Sequence, residues 1–333
     1  MRAIGQSRMQ FLTCESDGFS CAIDMKSVLG MSRTEALQRD DMGFGCVGAL
    51  PGDIPVFTLA HFLAQSVPEL RRSMPIVILR NQSGAWGLIV DRVAQLQDIT
   101  SDELFAWPTV LQSRRTRCFG ALLHHDKKLY PVLRPDAMSD DGGELPPMTM
   151  SISNRDAAFR NGLPFHPSPA LCMFRTFTVA EGERPISFGL AVGQILEMIR
   201  REAIARMPLL PAHVEGVMFW QGQPIPVIDL GMVLGLGGSG IDATRLTIAR
   251  IPGEPTAVAI PTTNSVRIVE LPIDHIASPR PMSIRCDLTH GVLELMNETL
   301  ILPDLRAISL AGDAAVGAIG ARNDDGRWQT TFE

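Results

Sequence analysis

The chain is 333 residues long, 45% hydrophobic and 20% charged, with 30 basic against 36 acidic side chains and a formal net charge of -6. That balance belongs to a folded protein rather than a disordered one, and it argues against a role on the nucleic-acid backbone, which needs a basic face to release counterions. No apolar run approaches the ~18 residues of a membrane span, and Met1–Gln10 lacks an apolar signal core, so a cytoplasmic protein without direct membrane insertion is expected.

Taken in chain order, the apolar runs are short, rich in Val, Ile and Leu, and cut by Gly, Pro, Asp and Asn, which predicts strands. Ile54–Leu59 leads into a helical turn or two over Thr58–Ala64. Phe119–Leu123 and Leu129–Leu133 form a hairpin with His124, His125 and Asp126 at its tip. Ser139–Pro147 and Pro164–Pro169 are dense in Gly, Pro, Ser and Asp, so residues 139–172 read as a linker. Further strands are expected at Phe174–Ala180, Ser187–Val192, Gly216–Trp220, Pro224–Asp229, Arg245–Ile251, Thr256–Ile260, Ser265–Glu270, Gly291–Met296 and Thr299–Pro303. Turns fall at Ala180–Glu183, Gln221–Gln223 and Met296–Thr299. A short helix is expected over Val192–Ile199 and a single turn or two over Asp229–Leu234. Residues 311–333 read as a loose tail. Many short strands with turn signals every ~8–12 residues point to barrels, which remove exposed edges.

The chain also repeats itself at a distance of about 170 residues. Phe19–Met31 returns in apolar pattern as Ile186–Met198, which sets Val28 against Ile195. Ile54–Leu59 returns as Ile225–Leu230, and Gly120–Leu123 matches Gly291–Glu294. Landmarks in one order over such a distance indicate two similar domains, 9–138 and 173–310, each long enough to bury its own core.

Candidate chemistry is sparse. The six cysteines are scattered singly with no Cys-x-x-Cys pair, so neither a zinc ribbon nor a disulfide framework is indicated. Gly235–Gly240 lacks the Lys-Ser/Thr ending of a phosphate loop and reads as a flexible loop. His124 and His125 are neighbours on a strand end and point to opposite faces, so they cannot readily share a ligand. No Gly-x-Ser-x-Gly elbow is present, and His213, His275 and His290 lie at unrelated spacings. No catalytic residue, metal site or cofactor is expected, and a binding module fits better than an enzyme.

The second copy resembles the CheW family of chemotaxis coupling proteins. The resemblance is carried by Phe188–Val192 with Ile195–Met198, and more closely by Leu210-Pro211, Val214–Val217, Gly222–Leu230 and Leu234–Leu236. Gly216, Gly222, Pro226 and Asp229 are its framework positions. The first copy is similar in its later half, where Met74–Leu79 leads to Gly87–Val93 with Gly87 and Asp91 in the family's Gly-x-x-Val-Asp pattern. In place of that pattern the second copy has Ala257–Pro261. The resemblance implies a mainly β fold of two tandem CheW-like domains, each made of two small five-stranded β-barrels with few short helices and a groove. It also implies a non-enzymatic scaffold without cofactor, whose partners are a CheA-like histidine kinase regulatory domain and chemoreceptor cytoplasmic tips. Glu197 matches a partner-binding position of the family, with Ile195 beside it and Val28 as its first-copy counterpart. Many members carry an arginine just before the turn glycine, where this chain has Gln221 and Pro51, neither of which supplies a charge or five donors. Two other readings stand beside this one: an interaction or ligand-sensing module of another signalling pathway, and a β-barrel hydrolase.

Overall fold

A computed structural model describes residues 8–16, 18–38, 46–62, 70–71, 73–82, 84–113, 116–138, 170–176, 185–207, 210–236, 243–263, 266–270, 284–295 and 297–311. The described residues fall into two compact units. One takes those up to Trp107, 116–138 and Met207; the other takes Pro108–Ser113 and the remainder. No described helix is long and apolar enough to cross a membrane.

In the first unit the strands are β1 (Met9–Ser16), β2 (Phe19–Asp24), β3 (Val28–Arg33), β4 (Gly48–Leu50), β5 (Ile54–Thr58), β6 (Pro75–Asn81), β7 (Gly84–Ile89), β8 (Arg92–Ile99), β9 (Leu104–Ala106), β10 (Phe119–His125) and β11 (Lys128–Leu133), with α1 (Leu59–Phe62) after β5. They make a flanking sheet of order β8-β1-β2-β11-β10-β9 and a nested sheet of order β3-β6-β7-β5-β4. The nested sheet is inserted in the chain between β2 and β8. Each sheet has its own apolar filling, Phe11, Ile99, Leu123 and Val132 in the flanking sheet, and Leu50, Val56, Ile76 and Ile89 in the nested one. Full burial of each such side chain contributes about 1.5–3 kcal/mol against the cost of ordering the chain.

The second unit repeats the plan with β12 (Ala170–Phe174), β13 (Ile186–Ala191), β14 (Ile195–Arg200), β15 (Val214–Trp220), β16 (Gln223–Ile228), β17 (Arg245–Arg250), β18 (Ala257–Thr262), β19 (Val266–Glu270), β20 (Thr289–Glu294) and β21 (Thr299–Pro303), and with α2 (Leu230–Val233) and α3 (Leu305–Ala311). Its flanking sheet runs β19-β12-β13-β21-β20 and its nested sheet β14-β17-β18-β16-β15. The protein is therefore mainly β, as expected, in two similar domains. Two details differ from expectation. One sheet has six strands rather than five, and among the described residues no ladder joins the outermost strands, so none of the sheets closes into a continuous barrel. In the nested sheets a single bridge spans the gap instead. Gln38 and Ala49 exchange backbone hydrogen bonds of 2.8 and 2.9 Å, as do Ala205 and Val217.

Most expected strands of the second copy are present within one or two residues of their predicted ends. The helix expected over Val192–Ile199 is not. Only Val192–Gln194 forms a 3-10 turn, tied by the Ala191 N–H donating to Gln194 Oε1 at 3.1 Å, and Ile195 then enters β14. Pairing with β17 gives that strand backbone partners that so short a helix would have left orphaned at both ends. Where a strand is expected at Phe174–Ala180, the described strand runs from Ala170 to Phe174, with its first residues inside the stretch read as linker. Residues 139–169, 177–184, 237–242 and 312–333, which hold the rest of the linker, the Ala180–Glu183 turn, most of the glycine loop and the tail, lie outside the described residues.

Strand register refines the repeat. Val56 faces Gly87 in one domain and Val227 faces Ala259 in the other, so the counterpart of Gly87–Asp91 is Ala259–Thr263 rather than a segment starting at Ala257. The backbone agrees, since Asp91 N donates to Glu15 O and Thr263 N to Arg175 O, each at 2.8 Å. The match of Gly120 with Gly291 is displaced by one residue. The bulged residue is Gly120 in β10 and His290 in β20. One core position has changed chemistry between the copies. Cys14 faces Cys21 across β1 and β2, whereas Phe174 faces Phe188 across β12 and β13 with ring centroids 6.4 Å apart.

Candidate functional site

Of the residues the sequence singled out for binding, Val28, Ile195 and Glu197 lie on an outermost strand of their nested sheets, whereas Gln221 and Pro51 lie in the β15–β16 and β4–β5 turns. Among the described residues β3 pairs only with β6, and β14 only with β17. Both strands open with the same irregularity, a register shift between Val28 and Gly30 in one and between Ile195 and Glu197 in the other. A bulge of this kind re-aims side chains and leaves part of the edge unpaired. Val28 and Ile195 are half-buried equivalents, and Glu197 is exposed. Its counterpart is Gly30, so the first domain has no carboxylate there.

The turn that carries Gln221 differs in build from the one that carries Pro51. Gln221 (φ 46°) and Gly222 (φ 78°) are consecutive left-handed residues, and Trp220 pairs with Gln223 on either side of them. This is a two-residue hairpin loop whose twist suits the flanking strands. Proline, with φ fixed near -65°, cannot occupy the Gln221 position. In the first domain Leu50 already pairs with Ile54, and the loop is Pro51, Gly52 (φ 87°) and Asp53 (φ 57°). Pro51 is thus not the equivalent of Gln221. The shared reference points are Gly48 and Gly216, which pair with Val56 and Val227. From there β15 continues to Trp220, while β4 stops at Leu50.

That extra length delivers a side chain the sequence reading missed. The Trp220 indole Nε1–H donates to Glu197 Oε2 at 2.7 Å. The bond links the two outermost strands of the nested sheet. Trp220 lies directly before Gln221, so the available signal was a bulky donor one residue away from the position inspected. In the first domain, where the hairpin is short, Leu29 and Met31 on β3 are 45% and 56% exposed; their counterparts Leu196 and Met198 are half-buried.

Within the first domain, β3, the start of β6 and the start of β8 enclose a cleft of about 540 Å³ lined by Met31, Ser32, Arg33, Ser73, Pro75, Asp91, Arg92 and Val93. Arg33 Nη1 donates to Ser73 Oγ at 2.8 Å and to its carbonyl at 3.1 Å. Arg92 Nε donates to Glu15 Oε2 at 3.1 Å, and that guanidinium holds the Glu15 carboxyl below its usual range. Asp91, at the end of the Gly-x-x-Val-Asp pattern, therefore borders a cleft that also takes in the apolar Met31, Pro75 and Val93 and the cations Arg33 and Arg92. Gly87 has a packing reason: a Cβ there would meet Ile76 Cγ2 at 2.8 Å and Val56 Cγ2 at 2.9 Å.

The other framework residues act structurally. Asp229 accepts from Gly231 N at 2.9 Å and Met232 N at 3.2 Å and so caps α2. Pro226 sits in β16 facing Val217, where its missing N–H breaks only one side of the ladder. A buried carboxylate in the second domain, Glu298 in the turn between β20 and β21, accepts from Ser187 Oγ at 2.7 Å, from Arg175 Nη2 at 3.4 Å, and from Arg267. At the tip of β10, His125 Nδ1 lies 2.6 Å from Glu103 Oε1, and burial holds the His124 imidazole below its usual pKa. Among the described residues no three His, Cys, Asp or Glu side chains are placed to hold a metal. The arrangement suits association through an irregular edge and a cleft with a few oriented polar groups.

A family model described as the CheW-like domain matches residues 10–142 and 174–311. A solved structure of the scaffolding protein TtCheW from Thermoanaerobacter tengcongensis is similar at 23% identity over 44% of this chain and 92% of that one, with a TM-score of 0.36. No curated protein matches. Matched by one family model over both repeats and most of its length, the chain belongs to the CheW-like domain family and carries that domain twice.

Proposed function

We propose that this protein is a non-enzymatic scaffold of chemotaxis-type signal transduction that works in the cytoplasm and couples chemoreceptor tips to the regulatory domain of a CheA-like histidine kinase. The observation that carries the reading is the family match over both domains. The outermost strands β3 and β14 supply a physical basis for binding. Each presents an unpaired backbone edge, a half-buried aliphatic residue at Val28 or Ile195, and a shared bulge. Two such sites on one chain raise the effective concentration for a second contact, so weak single contacts suffice to hold an assembly. Glu197, with Ile195 beside it, is the contact point proposed for the second domain, and Val28 with the neighbouring cleft for the first.

The test is a pull-down of the full chain against the host's kinase regulatory domain and receptor-tip fragments. Binding to either is expected, with Val28→Arg or Ile195→Arg weakening one contact by about tenfold, or ~1.4 kcal/mol. A chain that captures neither fragment overturns the reading.

A further inference from the structure

We propose that Trp220 is a positioning residue that makes the Glu197 carboxylate a charge-selective contact, the acceptor for a lysine or arginine side chain on the partner's docking segment. The inference rests on the scaffold reading and adds to it which of the two domains reads charge.

Glu197 is exposed on β14, and among the described residues its hydrogen bond comes from the Trp220 indole, with no Lys, Arg or His within ion-pair distance. Arg200 lies on the same strand but makes no ion pair with it, and Arg201 is engaged with Glu215. The nature of the donor decides what remains available. A guanidinium would pair with the carboxylate through two parallel N–H bonds and cancel its charge. An indole offers one N–H and no charge. It fixes one carboxylate oxygen and leaves the negative charge standing, so the edge is complementary to a cation. Its direction is set by packing, because Trp220 is only 8% exposed and its ring belongs to the nested core with Met218, Ile225 and Val227.

The first domain lacks each part of this device. Gly30 stands at the Glu197 position, β4 ends before a Trp220 counterpart could form, and the exposed side chains of β3 include Leu29 and Met31. At this position the second domain therefore bears a carboxylate and the first bears none, while β3 also exposes the cation Arg33. A partner segment suited to both is disfavoured, since a cation that pairs with Glu197 would find no acceptor at Gly30 and would meet the exposed Arg33 farther along β3.

The experiment compares the full-length parent with Glu197→Gln and Trp220→Phe. Each is titrated with the host's kinase regulatory domain and receptor-tip fragment at low and high salt, and its folding is checked by thermal melting. For whichever probe engages the second domain, Glu197→Gln is expected to weaken binding about three- to tenfold and to flatten its salt dependence. Trp220→Phe keeps ring and charge; it should weaken binding by a smaller factor and leave the salt dependence in place, a pattern that loss of fold would not give. Parent-like affinity and salt slope in Glu197→Gln overturn the charge-selective contact. Parent-like affinity in Trp220→Phe overturns the positioning role. A parent that binds neither probe overturns the scaffold reading itself, and this inference with it. Should Trp220→Phe fail to fold, the exposed Glu197→Gln still decides the charge.

Discussion

A methyl group added to Gly216 would lie 2.5 Å from the carbonyl oxygen of Ala205, and one added to Gly48 would lie 2.5 Å from that of Gln38. Each oxygen belongs to the bridge that spans the open side of its nested sheet, and backbone cannot swing away as a side-chain tip can. Gly216→Ala should therefore cost roughly 2–3 kcal/mol, read as a lowered urea midpoint. Gly222 is a different case. It has open space around it but a φ of 78°, so Gly222→Ala should cost only about 1 kcal/mol. The sequence placed Gly216 and Gly222 in one motif. It could not show that Gly216 is held by a neighbouring strand in addition to its own φ of 155°, while Gly222 is held by its dihedral alone, because the strand constraint comes from residues about ten positions away. The thiols give a second prediction at this scale. Burial pushes Cys14 and Cys118 up to about 12 and Cys21 well above its ordinary value. The reactive thiolate is then on the order of one part in ten thousand near pH 8. Alkylation followed by mass spectrometry should label the half-buried Cys46 in the native protein and reach the other three only in denaturant.

At the scale of elements, helix α2 is a single turn that depends on its cap. Asp229 is 3% exposed and accepts two of the first backbone N–H groups, so Asp229→Ala should lower stability by about 1–2 kcal/mol in a denaturant melt, with Asp229→Asn recovering part of the loss. This element was legible because a cap is a local device, written in adjacent residues. The edge strand β14 was not. Val192, Ile195, Leu196, Met198 and Ile199 satisfy a helical stripe as well as they satisfy a strand, and the decision falls to β17, roughly 50 residues later in the chain. The same reason hid the Trp220–Glu197 contact. Glu197 was legible as a position of interest, but its donor depends on how far the β15–β16 hairpin extends, and hairpin length is set by turn geometry rather than by the apolar pattern.

For the whole molecule, duplication was the most legible property, because repeated cores demand repeated apolar patterns. Its exact register was not legible. The Gly87–Asp91 counterpart lies two residues from where pattern matching put it, since small insertions in loops shift the offset from one strand to the next. The nesting of one sheet inside another has a consequence in time. β2 pairs in parallel with β11, and β13 with β21, so each flanking sheet waits for the last strands of its domain. The nested sheet of the first domain needs only residues up to Ile89. During synthesis it can close before the rest of its domain is made, leaving β1 without β8 and β2 without its parallel partner β11. Pulsed hydrogen exchange on refolding should then protect Val77 and Leu88 before Ala22 and Val132, because contacts between distant parts of the chain form last. Simultaneous protection of the two sheets would mean that the chain waits for its own end before any of it commits.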